Sequence, residues 1–151
     1  MGNDRILGCF RTGALALAVM VAVTLVATVG PAPAQQPGLA DQVLSRPEQP
    51  RPRDCYNANM LELGDCAVAD FRLADRALNA AYKKARGDCQ DDRNRALLLE
   101  SQRAWLRLRD ADCGWESDLY RDGSMAGLKA VICLVRMTRE RTKYLEHAFD
   151  P

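Results

Sequence analysis

Five cysteines, Cys55, Cys66, Cys89, Cys113 and Cys133, follow an apolar leader, and that combination constrains the fold more than any other feature of the chain. The leader has the layout of a secretory signal: Arg5 and Arg11 at the front, an apolar run from Ala14 to Val29, and the small-x-small pair Ala32 and Ala34. Cleavage is expected after Ala34, so residues 1–34 are read as a signal peptide. The apolar run is shorter than the ~20 residues a spanning helix needs. Cys9 precedes the run, where it cannot carry a lipid anchor. The mature chain is therefore expected in a periplasm or outside the cell, without a stable membrane anchor. Thiols in such an oxidising compartment pair as disulfides more readily than they bind metal or do redox chemistry. An odd number leaves one of them without an internal partner.

Removing Arg5, Arg11 and Asp4 takes Lys plus Arg from 21 to 19 and Asp plus Glu from 20 to 19. A formally neutral chain lacks the basic excess on which nucleic-acid and acidic-membrane binding draw. It has no acidic excess for a basic partner either. Residues 35–54 hold Pro37, Pro47, Pro50 and Pro52 among polar side chains, with only Leu39, Val43 and Leu44 as sizeable apolar groups. That stretch reads as a flexible, partly extended linker. Residues 55–151 remain as a single domain, small enough that cross-links matter to its stability.

Helical periodicity accounts for nearly all of that domain. Phe71, Ala74, Leu78, Ala81, Tyr82 and Ala85 make one apolar stripe, ended by Gly87 and Asp88. Gly64-Asp65 is expected to break the front of this helix, with Asp65 capping the longer helical stretch after it. A second helix starts near Asp91 or Asp92, and in it Leu98, Trp105 and Cys113 share a face with Gln102 and Arg109. After the turn Arg121-Asp122-Gly123-Ser124, a third stripe runs through Ala130, Cys133, Leu134, Met137, Arg141, Tyr144, Leu145 and Ala148. The fold class expected is all-α, a small antiparallel bundle of three main helices braced by disulfides.

In an antiparallel hairpin, facing positions sum to a nearly constant number. For the first two helices that register sets Tyr82 against Leu98, Asn79 against Gln102, Leu78 against Trp105 and Asp75 against Arg109. A structural polar network of Asp75, Asn79, Gln102 and Arg109 is the consequence, with Arg141 expected to join a carboxylate from another helix, because an unpaired buried member is costly. Cys113 and Cys133 are equidistant from the turn at Gly123 and are paired. Cys55 and Cys66 form the second disulfide if the chain bends at Gly64, since a straight helix holds them too far apart. Cys89 is the free thiol, available in principle for an intermolecular disulfide that makes a homodimer.

The spaced pattern Asp54-Cys55, Cys66, Ala74-Asp75-x-x-Leu78-Asn79-x-x-Tyr82, Ser101-Gln102-x-x-Trp105-x-x-x-Arg109-Asp110-x-x-Cys113, Gly123-Ser124, Cys133 and Thr138-x-x-Arg141 resembles the LprI-like lysozyme-inhibitor domain. The resemblance spans almost all of Cys55 to Leu145. Ser101 departs from the family's Ala, and Cys89 lies outside the pattern. The resemblance implies an exported binding protein that blocks a muramidase by protein–protein contact and is not an enzyme. Tyr120 to Ser124 is the expected contact loop, and Trp115 beside it is a candidate anchor, since Trp is enriched at interface hot spots. Candidate partner-binding residues are therefore Trp115, Tyr120, Asp122 and Ser124. Two other readings are possible. Cys89 with His147 as base sketches a thiol nucleophile, although His147 also suits a helix C-terminus as a cation. The alternative to inhibition is a periplasmic interaction or assembly protein. Asp110 and Asp112 lie on different faces, and one His with disulfide-prone cysteines makes no zinc site. No metal or cofactor is expected.

Overall fold

The computed structural model describes residues 36–148, which hold four helices and no strand. These are α1 (Leu39–Leu44), α2 (Met60–Asp88), α3 (Asp92–Asp118) and α4 (Ala126–His147). The signal peptide read from residues 1–34 lies outside the described residues. The all-helical bundle expected from periodicity is the fold, with three long helices and two disulfides.

Local chemistry sets where the helices begin. Asn59 caps α2: its Oδ1 accepts from the N–H groups of Leu61 at 3.0 Å and Glu62 at 3.1 Å, while Glu62 Oε2 accepts from the Asn59 N–H at 2.9 Å. That reciprocal box satisfies donors no intrahelical bond reaches. Gly64-Asp65 therefore does not break the helix, contrary to expectation; one interior glycine costs about 1 kcal/mol relative to alanine, less than a capped and packed helix returns. The bend that closes Cys55 onto Cys66 lies before Asn59. There Asp54 accepts from the N–H groups of Tyr56 and Asn57, folding the chain back. Asp91 caps α3 by accepting from the Asn94 N–H at 2.7 Å.

The packing order departs from a hairpin of the first two long helices. α4 packs closely against both α2 and α3, whereas the backbones of α2 and α3 barely approach each other. Cys66 and Leu128, each near the start of its helix, share a groove, and Ala85 and Leu145, each near the end, share a cluster, so α2 and α4 run the same way. Facing two neighbours, α4 buries more than a single stripe: Val131, Val135, Thr138 and Thr142 join Ala130, Cys133, Leu134 and Leu145 in the interior.

The stretch 35–54 is expected to be a flexible linker, but its described part carries α1, which packs where α2 and α3 leave space. There α1 touches both helices, and its Ala40 and Val43 are almost fully buried in the main core beside Phe71, Cys113, Val131, Cys133, Leu134 and Val135. The chain after α1 stays on the body through Arg72, whose Nη1 and Nη2 donate to the carbonyls of Leu44 at 3.2 Å and Arg46 at 2.5 Å. Arg51 pairs with Asp70 at 3.1 Å. The linker reading fails at α1 because the prolines around it say nothing about two apolar pairs, Leu39-Ala40 and Val43-Leu44, one helical turn apart.

Candidate functional site

Both disulfides sit at the end of the bundle where α2 and α4 begin and α3 ends. Cys55 and Cys66 lie 6.1 Å apart and Cys113 and Cys133 5.4 Å apart between Cα atoms, within the span a disulfide tolerates. The turn between α3 and α4 is tied from several directions. Ser117 Oγ donates to the Ala126 carbonyl at 2.9 Å, the Tyr120 N–H to the Ser117 carbonyl at 3.0 Å, and the Gly123 N–H to the Tyr120 carbonyl at 3.0 Å. Lys129 sets its ammonium 5.1 Å from the Tyr120 ring centroid, Arg121 pairs with Asp118 at 2.8 Å, and Arg136 pairs with Glu116.

Large apolar side chains nevertheless stand in solvent around this braced end. Tyr56 is 95%, Leu61 77%, Trp115 65% and Leu119 63% exposed. Scattered exposed apolar residues are ordinary, and these lie at the end that carries both cross-links. The four candidate partner-binding residues do not form one cluster. Ser124 lines a hollow against Met60, Leu61 and Gly64 of α2, whereas Trp115 stands outside it on α3. Tyr120 and Asp122 are exposed on the turn between them. Leu61 and Tyr56 escape a reading of helical stripes because they flank the disulfide turn and belong to no core face.

Beside Tyr56, Asp54 holds its carboxylate below the usual range, chiefly because the Asn57 amide donates to it, and then because the backbone N–H groups of Asn57 and Tyr56 do. That anion organises the turn carrying Tyr56.

The expected polar network divides into three parts, because α4 keeps the α2 and α3 backbones apart. Asn79 Nδ2 donates to Asp75 Oδ2 on its own helix at 2.9 Å, so neither meets its expected partner. Gln102 Oε1 accepts from Arg141 Nε at 3.1 Å, and Ser101 Oγ accepts from Arg141 Nη2 at 2.9 Å, joining α3 to α4. Burial pulls the Arg141 pKa down, while Tyr144 beside it pushes the other way. Arg109, 3% exposed, pairs with the adjacent Asp110 at 3.0 Å instead of Asp75, and its guanidinium lies between the rings of Phe71 at 5.7 Å and Trp105 at 5.2 Å. Arg141 continues the stack, 5.8 Å from Trp105 and 4.9 Å from Tyr144. Alternating cations and rings thus tie α2, α3 and α4 together, a structural role.

Asp110 is the residue that spacing leaves without a role. Its Oδ2 accepts from the Ala40 N–H at 3.4 Å and sits where a Cβ on Gly38 would come within 2.1 Å of it. The Arg109-Asp110 pair therefore ties α1 to the body, and a Cβ at position 38 would push the Asp110 carboxylate from its place.

Cys89 is buried, and its Sγ donates to the Ala85 carbonyl at 3.3 Å. It lines a hollow with Leu98, Tyr144, Leu145 and Ala148. This corrects the Cys89-linked homodimer: at the C-cap of α2 the side chain folds back over the last turn and offers no thiol to a second chain. Among the described residues no group of three His, Cys, Asp or Glu side chains is placed to hold a metal, and no helix is long and apolar enough to cross a membrane.

The sequence profile of the family described as Lysozyme inhibitor LprI matches residues 54–145, from the Asp54 turn to Leu145 of the far cluster. An uncharacterized protein of Rhizobium meliloti (strain 1021) is 34% identical over 116 residues, covering 68% of this chain and 83% of the relative. No solved structure matches.

Proposed function

The chain belongs to the LprI lysozyme-inhibitor family, and from that premise we propose that it is an exported binding protein that inhibits a muramidase by direct contact and has no catalytic activity of its own. The observation that carries this reading is the braced end, where both disulfides converge under exposed Tyr56, Leu61 and Tyr120. A rigid surface loses little conformational freedom on docking, so more of its contact energy appears as affinity.

Glycoside hydrolases of this kind cleave between two carboxylic side chains set in a cleft. An exposed turn that carries a cation suits such a cleft. Arg121 is that cation: its pair with Asp118 is exposed on both sides, and such pairs contribute at most about 1 kcal/mol. It is free to turn to a cleft carboxylate while Tyr120 and Leu61 cover the rim. The turn from Tyr120 to Ser124 is the contact loop in this reading, with Asp122 exposed beside Arg121 and Ser124 lining the hollow against α2.

Turbidity-based cell-wall lysis by several lysozyme classes, titrated with the oxidised protein purified after export, tests the function. Dose-dependent inhibition of one class is expected, with Tyr120→Ala and Arg121→Ala each weakening it about tenfold or more, the scale of an interface hot spot. Inhibition equal to the parent's in both variants would remove the loop from the contact. No inhibition of any class would remove the function.

A further inference from the structure

We infer that α3 carries a second interaction surface, a helix seam on which another copy of this chain packs in parallel to form a dimer. Its outer face, turned away from the buried side defined by Gln102, Arg109 and Cys113, holds Leu97, Ser101, Ala104, Leu108, Ala111 and Trp115. Their spacing is four, three, four, three, four, the alternation that keeps one side of a helix against a second helix. Every one of them is exposed; Leu97 and Leu108 are each 54% exposed. The core does not explain leucine there. Leu119 extends the face to the braced end, giving a strip about 33 Å long at 1.5 Å per residue.

A second copy is the occupant because the edges of the seam fit it. In parallel pairing, a residue flanking the seam on one helix meets the residue five positions later on the opposite flank of its neighbour. Arg107 and Asp112 occupy those two places, and neither makes an ion pair among the described residues. Twofold symmetry turns this into two Arg107–Asp112 pairs, one on each side. Along the seam, Ala104 and Ala111 let the helices approach while Leu108 packs on its counterpart. Ser101 is no unpaired polar group, since Arg141 already donates to its hydroxyl. Neutral net charge removes long-range repulsion between copies. Parallel pairing also sets the two braced ends side by side, facing one way.

Sedimentation equilibrium of the oxidised, exported protein tests this, with inhibition of lysozyme playing no part in the readout. A concentration-dependent dimer is expected, and Leu108→Asp, on an exposed position that leaves the fold intact, should give a monomer. Arg107→Asp should weaken association about tenfold by turning both rim pairs repulsive, and adding Asp112→Arg in the same chain should restore it. A parent that is monomeric at about 100 μM, well above typical specific dissociation constants, would overturn the proposal. So would a dimer that Leu108→Asp leaves intact, or a double charge reversal that fails to rescue, which would exclude the parallel register.

Discussion

The two ends of the bundle are stabilised by different means. At the braced end, two disulfides and α1 surround a core of Phe71, Val131, Leu134 and Val135, and Cys113 and Cys133 are completely buried. At the other end Leu78, Ala81, Ala85 and Leu145 form a smaller, alanine-rich cluster with no cross-link, flanked by Tyr82, Leu98 and Trp105 and by the free thiol of Cys89. The end that carries Tyr56, Leu61, Trp115 and Leu119 in water is the one held covalently. Presenting such groups forgoes the burial that would otherwise hold them, about 25 cal/mol for each Å² left wet, and the disulfides offset that loss. The far end also leaves Leu97 and Tyr144 exposed, and ordinary packing holds it without a cross-link.

Removing the Cys113–Cys133 bridge is the strongest way to break this contrast. The double Cys113→Ala/Cys133→Ala variant should lose about 3 kcal/mol, the chain-entropy value for a loop of this length, seen as a lower Tm. Amide exchange should then quicken in the second half of α3, the first half of α4 and α1, with less change around Leu78 and Ala85. A parent-like Tm, or protection lost equally at both ends, would show that the ends are not held differently.

A smaller effect probes α1, which separates the two ends most plainly. Gly38→Ala places a Cβ against the Asp110 carboxylate, so that carboxylate must turn away from the Ala40 N–H and α1 loses this tie, at a cost of about 1 kcal/mol, the usual scale of one hydrogen bond. Limited proteolysis near Arg46 and Arg51 should become faster while the far end stays resistant. Unchanged proteolysis would mean that Asp110 does not hold α1.

The smallest effect lies in the turn before α2. With Asp54's folded pKa below its ordinary value of 3.8, the stabilisation is fully present above that value and is lost as pH falls through the lower folded pKa. Titration of the Asp54 carboxyl carbon by NMR should show a midpoint below 3.8 that rises in Asn57→Ala, the largest contributor to the shift. A midpoint indifferent to Asn57 would detach the Tyr56 turn from this anion.

Much of the molecule was legible along the chain. The stripes, though Tyr144 and Ala148 of the third are exposed, a start of α3 near Asp91 or Asp92 and the pairing of Cys113 with Cys133 are properties of near neighbours, or of two helices joined by one short turn, and local spacing carries them. The register of α2 against α3 was not legible. A constant sum is satisfied by any antiparallel pair of helices, so it cannot say whether a third helix stands between them; thus Asp75 and Asn79 turn to each other, and Arg109 to Phe71 and Trp105. Of the candidate contact residues, Trp115 and Tyr120 stand exposed on their elements, but the separation of Trp115 from the hollow that Ser124 lines depends on how α2 seats against the turn.

By itself the sequence determined that this chain is helical, where its long helices run and which cysteines close, because helix periodicity, capping and short-loop closure act over a few residues. The tertiary structure decided which helix lies between the other two, that α1 belongs to the core, that Cys89 is hidden and that Tyr56, Leu61, Trp115 and Leu119 stand exposed at the cross-linked end. Those outcomes come from burying surface between segments far apart in the chain, and only the fully packed arrangement settles which surfaces meet.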